Sequence, residues 1–568
     1  MTAHRDLRVL ARFLSFTLFA VVCTIGLQIK DGAFVAELAT IYPDEAPHYV
    51  NGLLIADYIR DGLGQSPIAF AKAFFLSFPK VSIGHWPPMF YMLEAAWMLV
   101  VSQSKLAALI FSGLISAVLA GVIGSMVGRR TGIVSGILVV LFYVLTPLVR
   151  NSAAAVMVDL FIALVEFAAT LALARYVMSP SWRWSAGFGL IASVAILSKG
   201  NGLALALLPP LALLLTNRFD LVLRADFWVP VPIVALLCGP WYVATYNLAS
   251  DGWVYQPGAS YMMQSLLANS NACILLFGIA GCLLAAYGFA CSFVGRYDVA
   301  ENTLVRSLVA LILAIFLFQI LVPSGLDPRY VLGFFPPFAI LAVLGIRELS
   351  ADIASLFGSN HSRRARGLIV VILALAVIVP KLASFATVAQ KPTLGMKEAA
   401  NIVTDDHSNP NRTVLITSDA IGEGAFVVEM AQHLDKRARY VIARGSKLLA
   451  SANFLMEDYV ARFSDASGVA KEVGKLGIRF VVIDTSKNGF RFKHSQDLLA
   501  AARQDGWALV GQFPHARYDG ETLVYELKPA RVPTAVEQAA IGCVWAGPST
   551  AISNAGSVQL KKPMDTCS

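Results

Sequence analysis

The sequence predicts a polytopic α-helical membrane protein of about eleven spans, followed by a soluble C-terminal α/β domain. Three observations carry this. Hydrophobic residues make up 57% of the 568-residue chain and charged residues only 14%, with a mean hydropathy of +0.65, whereas soluble domains carry roughly 25% charged residues. The apolar residues gather into runs near the roughly 20 residues that one crossing needs, with arginines in the gaps. After about residue 388 these runs give way to short β-rich stretches alternating with charged helical patterns. The net charge of +8 is scattered through the gaps between apolar runs, a sign of topology and not of nucleic-acid binding.

The first apolar run, 13–27, lacks a small-residue cleavage site and many more runs follow, so it reads as a retained helix and not a secretory signal. Arg5, Arg8 and Arg12 precede it. Arg129 with Arg130, Arg175 with Arg183, Arg218 with Arg224, Arg296 with Arg306, and Arg347 with Arg363, Arg364 and Arg366 separate later runs. If these mark the cytoplasmic side, an odd number of crossings lies between Arg12 and Arg129. Of the two apolar stretches there, only 106–127 is long enough to cross alone, and 87–101 is expected to be an interfacial helix. Further spans are expected near 131–148, 159–177, 185–198, 202–216, 228–246, 271–292, 304–323, 330–346 and 367–387. The two shortest flank Lys199-Gly200-Asn201-Gly202, so that break should dip into the bilayer beside protein. The odd total sends everything after residue 387 to the outer side.

These spans give a transmembrane domain over 1–387, with 29–105 as a long outer loop carrying interfacial helices. A loop of that length is expected to be functional. Within it Tyr49, Val50, Leu53, Leu54 and Tyr58 recur at helical spacing among Asn51, Asp57, Arg60 and Asp61, the pattern of an amphipathic helix on a membrane surface. The α/β domain covers 388–530, with strands expected at 412–417, 439–443, 479–484 and 522–527, and a tail covers 531–568. No internal repeat is apparent. Five cysteines sit in or beside spans as core fillers. Cys543 and Cys567, in the outer part, would be able to pair in an oxidising compartment.

The charges at membrane depth single out candidate chemistry. Asp159 opens an apolar run and Lys199 sits in the Leu197-Ser198-Lys199-Gly200 break. Ionisable groups at such depth are costly unless they face a polar cavity. The topology puts both at the outer face, together with the pair Asp44-Glu45 just after the first span and Asp327-Pro328-Arg329-Tyr330. Each has an ordinary alternative. Asp44 suits a helix cap ahead of Pro47, Lys199 a snorkelling lysine, and Arg329 an anchor at a span end. The segment Gly84-His85-Trp86-Pro87-Pro88 suits an interfacial aromatic belt. In the tail domain Gly422-Glu423-Gly424 lacks the third glycine of a dinucleotide loop and reads as a structural turn.

Taken together the pattern resembles the GT-C superfamily of lipid-phosphate-sugar glycosyltransferases, and within it the protein O-mannosyltransferase and lipid A aminoarabinose transferase group. The similarity covers roughly residues 10–390 and rests on several features. They are the long outer loop opening with Asp44-Glu45, the aromatic-proline-proline turn at His85-Trp86, the Asp159 that opens a span, the Leu-Ser-Lys-Gly break, and the Pro328-Arg329-Tyr330 to Phe335-Pro336-Pro337 stretch. The resemblance implies an inverting transfer of a sugar from a polyprenyl phosphate to a lipid, glycan or protein hydroxyl at the outer face of a bacterial inner membrane, with the C-terminal domain periplasmic. It implies Asp44, Glu45 and Asp159 as catalytic residues, with Asp44 the base. Lys199, Arg329 and Tyr330 would bind the donor phosphate, and His85 and Trp86 would serve the acceptor or the loop. It also admits a divalent metal on Asp44 and Asp159. Membrane lipid is a partner on this reading and nucleic acid is not.

Two other readings fit part of the pattern. A transporter or flippase would also place charges in a broken helix, although here the charges gather toward one face and there are no repeated halves. A receptor whose outer domain senses a ligand is the third.

Overall fold

Among the described residues eight helices are long and apolar enough to cross a membrane, and a bent pair makes a possible ninth. The structure is a computed structural model. It describes residues 2–250, 255–356, 362–405, 410–433, 440–452, 456, 459–528, 531–535, 537–538 and 541. Cys543 and Cys567 lie outside them. The eight are Leu7–Lys30, Lys105–Thr131, Asp159–Met178, Ala225–Leu248, Ala259–Ala290, Val299–Leu321, Pro328–Ser355 and Arg364–Ala386. The bent pair, Ile133–Leu145 and Pro147–Ala153, turns by 69° at Thr146, where Pro147 can begin a helix but cannot continue one. The two remaining expected spans are helical but short, as their place beside the Lys199 break suggested: Trp182–Ile196 has 15 residues, and Gly200–Thr216 falls among the shorter apolar helices.

The chain divides into two units, each as far as its residues are described. The first comprises Met1–Asp31, Gly84–Phe90 and Ile110–Ala389, and the second Gly32–Ile83, Tyr91–Leu109 and Gln390–Ser568.

In the first unit, one buried ion pair ties three helices. The Arg150 guanidinium donates from Nε to Asp31 Oδ2 at 2.5 Å, from Nη2 to Asp31 Oδ1, and from Nη1 to the Phe385 carbonyl at 3.0 Å. Both side chains are almost wholly buried. Removing one member strands a buried charge, so Arg150→Ala should cost about 3–5 kcal/mol of stability. The expected readout is a lower melting temperature in detergent, largely recovered when Asp31→Leu and Arg150→Met are combined. Unchanged melting of Arg150→Ala would show the pair to be dispensable.

The second unit holds a five-stranded sheet in the order β2-β1-β5-β7-β6, built from β1 (Thr413–Thr417), β2 (Val441–Arg444), β5 (Phe480–Asp484), β6 (Trp507–Pro514) and β7 (Glu521–Leu527). Two-residue strands β3 (Ala450–Ser451) and β4 (Val460–Ala461) pair separately. β1 runs parallel to β2 and β5, whereas β7 runs antiparallel to β5 and β6. β1 and β5 are buried along their whole length, matching the apolar runs at 414–416 and 480–483 that they contain. Four of the five strands were expected. β6 was not, because this half-exposed edge strand contains Gly511 beside a bulge and ends in Pro514.

The 29–105 loop departs from expectation in one respect. A helix does form over Glu45–Asp57, but every residue except Ile55 is buried, so it is no half-exposed surface helix. Within this unit, protein covers two of the polar residues expected to face water, Asn51 and Asp57, whereas Arg60 and Asp61, in the turn Tyr58–Gly62 that follows the helix, are exposed as expected. Asn51 bonds Ser82 at 2.9 Å, His48 Nδ1 lies 2.8 Å from the Tyr91 hydroxyl, and Gln432 reaches the Tyr49 hydroxyl at 2.9 Å.

Candidate functional site

Four of the charged and aromatic residues singled out in the sequence meet in the first unit. Asp159 is the first residue of its helix, where a carboxylate complements the helix dipole. The helix Trp182–Ile196 ends at Leu197, and Lys199 then adopts an extended conformation before the 3-10 turn Gly200–Ala206. This break aims the lysine back at the carboxylate, and Lys199 Nζ donates to Asp159 Oδ1 at 2.6 Å. Asp159 is 5% exposed, so the pair is shielded from water and its attraction little screened.

Tyr330 lies between two cations. Lys199 Nζ stands 4.5 Å from its ring centroid and the Arg329 guanidinium 5.4 Å, both within cation–π range. Arg329 sits in the 3-10 turn Pro328–Phe334, whose start is fixed by Asp327 accepting from the Arg329 amide at 3.0 Å. Arg329 Nε is also 3.3 Å from Asp327 Oδ2. Each cation therefore has a carboxylate partner of its own. An anion such as a phosphate could share these cations by extra hydrogen bonds or displace a carboxylate from them.

The aromatic-proline turn belongs to the same unit and is fastened to the same break, because the Met89 amide donates to the Leu197 carbonyl at 2.8 Å. His85 Nδ1 lies 3.0 Å from the Leu248 carbonyl, and its ring meets Trp86 edge-on. Both side chains are partly exposed.

Glu166, not singled out in the sequence, belongs beside these residues. It is 3% exposed and lies two turns along the helix from Asp159. A Cβ at Gly333 would strike its carboxylate, so glycine there lets the Pro328–Phe334 turn close on this helix. The seven-residue spacing from Asp159, which repeats one helix face, was the available signal.

Asp44 and Glu45 lie in the second unit. Asp44 occupies the N-cap of the Glu45–Asp57 helix, yet its side chain makes no capping hydrogen bond. Glu45 is fully buried. Its Oε2 accepts from the Ala39 amide at 2.7 Å, and its Oε1 is 3.6 Å from Lys391 Nζ. Of the two neighbours, then, Glu45 is committed to internal contacts and Asp44 is the partly exposed one. Among the described residues no three side chains of His, Cys, Asp or Glu converge as metal ligands, and the Asp159 carboxylate is engaged by Lys199. The donor set therefore does not fit a resident divalent metal, and no step is derived through one.

A second charged cluster in this unit joins loop to sheet. Arg444 Nε donates to Glu423 at 2.7 Å and Nη1 to the Pro79 carbonyl at 3.2 Å, while Lys80 Nζ donates to the Ala420 carbonyl at 3.0 Å. Burial, and then Arg444, pull the Lys80 ammonium down to about 7. Burial alone would raise the Glu423 carboxyl, but Arg444, Lys80 and the Ser446 hydrogen bonds outweigh it and hold the group below its usual range. Gly422-Glu423-Gly424 is thus the first turn of the Ala420–Gln432 helix, capped by Asp419.

Residues 85–243 match the family Dolichyl-phosphate-mannose-protein mannosyltransferase. The match takes in His85, Trp86, Asp159 and Lys199, and covers well under half of the chain. No curated protein sequence matches the chain. Among solved structures, the fold is similar to that of ArnT from Cupriavidus metallidurans in the apo state, at 14% identity and a TM-score of 0.56 over 90% of this chain and 98% of that one. The same protein bound to undecaprenyl phosphate aligns at 14% identity and a TM-score of 0.54, over 91% and 98%. The Archaeoglobus fulgidus oligosaccharyltransferase in its apo form aligns at 12% and 0.51, over 83% and 69%. At these identities the likeness is one of fold.

Proposed function

From the premise that this chain has the GT-C fold, we propose that it is an integral-membrane glycosyltransferase. It takes a sugar from a polyprenyl-phosphate donor and passes it to a hydroxyl of a lipid, glycan or protein at the outer face of the membrane. The observation that carries this reading is the convergence of Lys199, Arg329, Tyr330 and Asp159 at a break between helices. Two cations at one place suit the phosphate of a lipid-linked donor. Support also comes from the partial match to a dolichyl-phosphate-dependent family and from the undecaprenyl phosphate bound in one ArnT structure.

The chemistry follows from what the donor already provides. The acceptor oxygen attacks the anomeric carbon, and the bond from that carbon to the phosphate oxygen breaks with its electron pair on the phosphate. The polyprenyl phosphate leaves as a stable anion, so no strong general acid is needed, unlike at a glycosidase. What is needed is a base for the acceptor proton and cations for the phosphate. Asp44 takes the proton; Lys199 and Arg329 steady the departing phosphate; Asp159 holds Lys199 in place. Attack opposite the leaving phosphate inverts the anomeric centre. In a bacterium the setting is the inner membrane, with the C-terminal domain in the periplasm.

The test is to supply purified protein in proteoliposomes with a panel of labelled polyprenyl-phosphate sugars and an envelope extract as acceptor. Release of free polyprenyl phosphate with transfer of label supports the enzyme. Movement of intact donor across the bilayer would establish the flippase instead. Topology supplies a further expected result. Single cysteines at Gln65 and Gln504, both exposed, should label from the outer side and one at Arg366 only from the cytoplasmic side. Cytoplasmic labelling at Gln504 would overturn the outer-face assignment.

A further inference from the structure

The candidate base stands at the start of a helix that the C-terminal domain grips from two sides. Two buried glutamates of the outer loop, Glu37 and Glu45, both hold the segment that leads into that domain. Glu37 accepts from the amides of Leu394 at 3.0 Å and Met396 at 3.1 Å, and Glu45 stands 3.6 Å from Lys391, with both of those side chains at most 1% exposed. From the other side comes the Ala420–Gln432 helix. A Cβ at Gly424 would lie 2.9 Å from Ala46 Cβ and 3.5 Å from Ala39 Cβ. Ala46 follows Glu45 directly. Ala39 has a φ of 71°, a left-handed conformation that costs an L-residue roughly 1–2 kcal/mol and is held here by its amide bond to Glu45.

We propose that Lys391 and Gly424 are positioning residues for Asp44, so that the C-terminal domain sets the reach of the base. This rests on the reading of Asp44 as the base. The Asp44 carbonyl accepts from the His48 amide at 3.0 Å, so Asp44 moves with the first turn of its helix. Lys391 anchors Glu45 by charge, and Gly424 allows the domain helix to seat against Ala46. A methyl at Gly424 pushes on the first turn of the Asp44 helix, and displacement of a reacting group by about 1 Å is enough to cost up to a hundredfold in rate.

The experiment uses purified full-length protein and the transfer assay, with Asp44→Asn in parallel. Gly424→Ala should lower kcat roughly tenfold or more while the donor KM stays near that of the wild type. Adding Ala46→Gly, which removes the opposing methyl, should restore most of the rate. In an Asp44→Asn background Gly424→Ala should cause no further loss. Lys391→Met combined with Glu45→Gln removes the buried pair without stranding either charge. It should keep the melting temperature close to that of the wild type and still lower kcat. The proposal is overturned by wild-type kcat in Gly424→Ala, by a loss that Ala46→Gly does not reverse, or by an equal loss in the Asp44→Asn background. If the wild type transfers no sugar, the functional reading fails instead. If Asp44→Asn is impaired and Gly424→Ala is not, only the positioning role fails.

Discussion

Asp44→Asn should lower turnover by roughly a hundredfold or more, the usual contribution of a positioned general base, while expression and melting stay near those of the wild type. Asn has the size of Asp and caps helices about as well. The native side chain makes no capping hydrogen bond in any case, so little helix stability is at stake. On the proposed mechanism, what the substitution removes is the carboxylate oxygen that would take the acceptor proton. Glu45→Gln should behave differently. Glu45 is fully buried against Ala39 and Lys391, and its neutral form leaves a buried lysine without its counter-charge. Its effect should appear first in stability, at about 3–5 kcal/mol. A well-folded Asp44→Asn protein with normal turnover would move the search for the base to Asp159 or His85.

Lys199→Ala should cost about tenfold to a hundredfold in kcat/KM for the donor, the weight of one charge-assisted hydrogen bond at roughly 1.5–3 kcal/mol. Arg329→Ala should cost a similar amount. Because Lys199 also holds buried Asp159, Lys199→Gln is the companion variant. It keeps a hydrogen-bond donor and loses the charge, so it should fold better than Lys199→Ala and still use donor poorly. Separate measurement of kcat and donor KM at saturating acceptor checks this. Wild-type donor kinetics in Lys199→Gln and Arg329→Ala together would make both residues mere anchors.

The spanning architecture was legible because long apolar runs and arginine-bearing gaps are local properties of sequence. The pairing of Lys199 with Asp159 was legible only in part. Both were conspicuous as charges at membrane depth, but 40 residues separate them, and only the fold shows that they touch and that Tyr330 stacks beside Lys199. Glu166 was passed over because a glutamate inside a long helix looks local, and its meaning comes from Gly333 far along the chain. Arg150 was likewise read past, since its partner Asp31 closes the first span 119 residues earlier. The Glu45–Asp57 helix shows the opposite case. Its spacing was read correctly as helical and its surroundings only in part, because amphipathic spacing does not reveal that protein in the same unit covers Asn51 and Asp57 while Arg60 and Asp61 stay exposed. β6 escaped for want of a strong strand sequence, since its strandedness comes from pairing with β7.

The most direct measurement follows the anomeric carbon. With a polyprenyl-phosphate sugar labelled at that carbon, NMR of a single turnover by the wild type should show the label leaving the phosphate and appearing on an acceptor hydroxyl with inverted configuration. One polyprenyl phosphate should be released per transfer, and Asp44→Asn should hold the label on the donor. A label that never leaves the phosphate in the wild type, or that appears on the acceptor at the same rate in Asp44→Asn, would contradict the account.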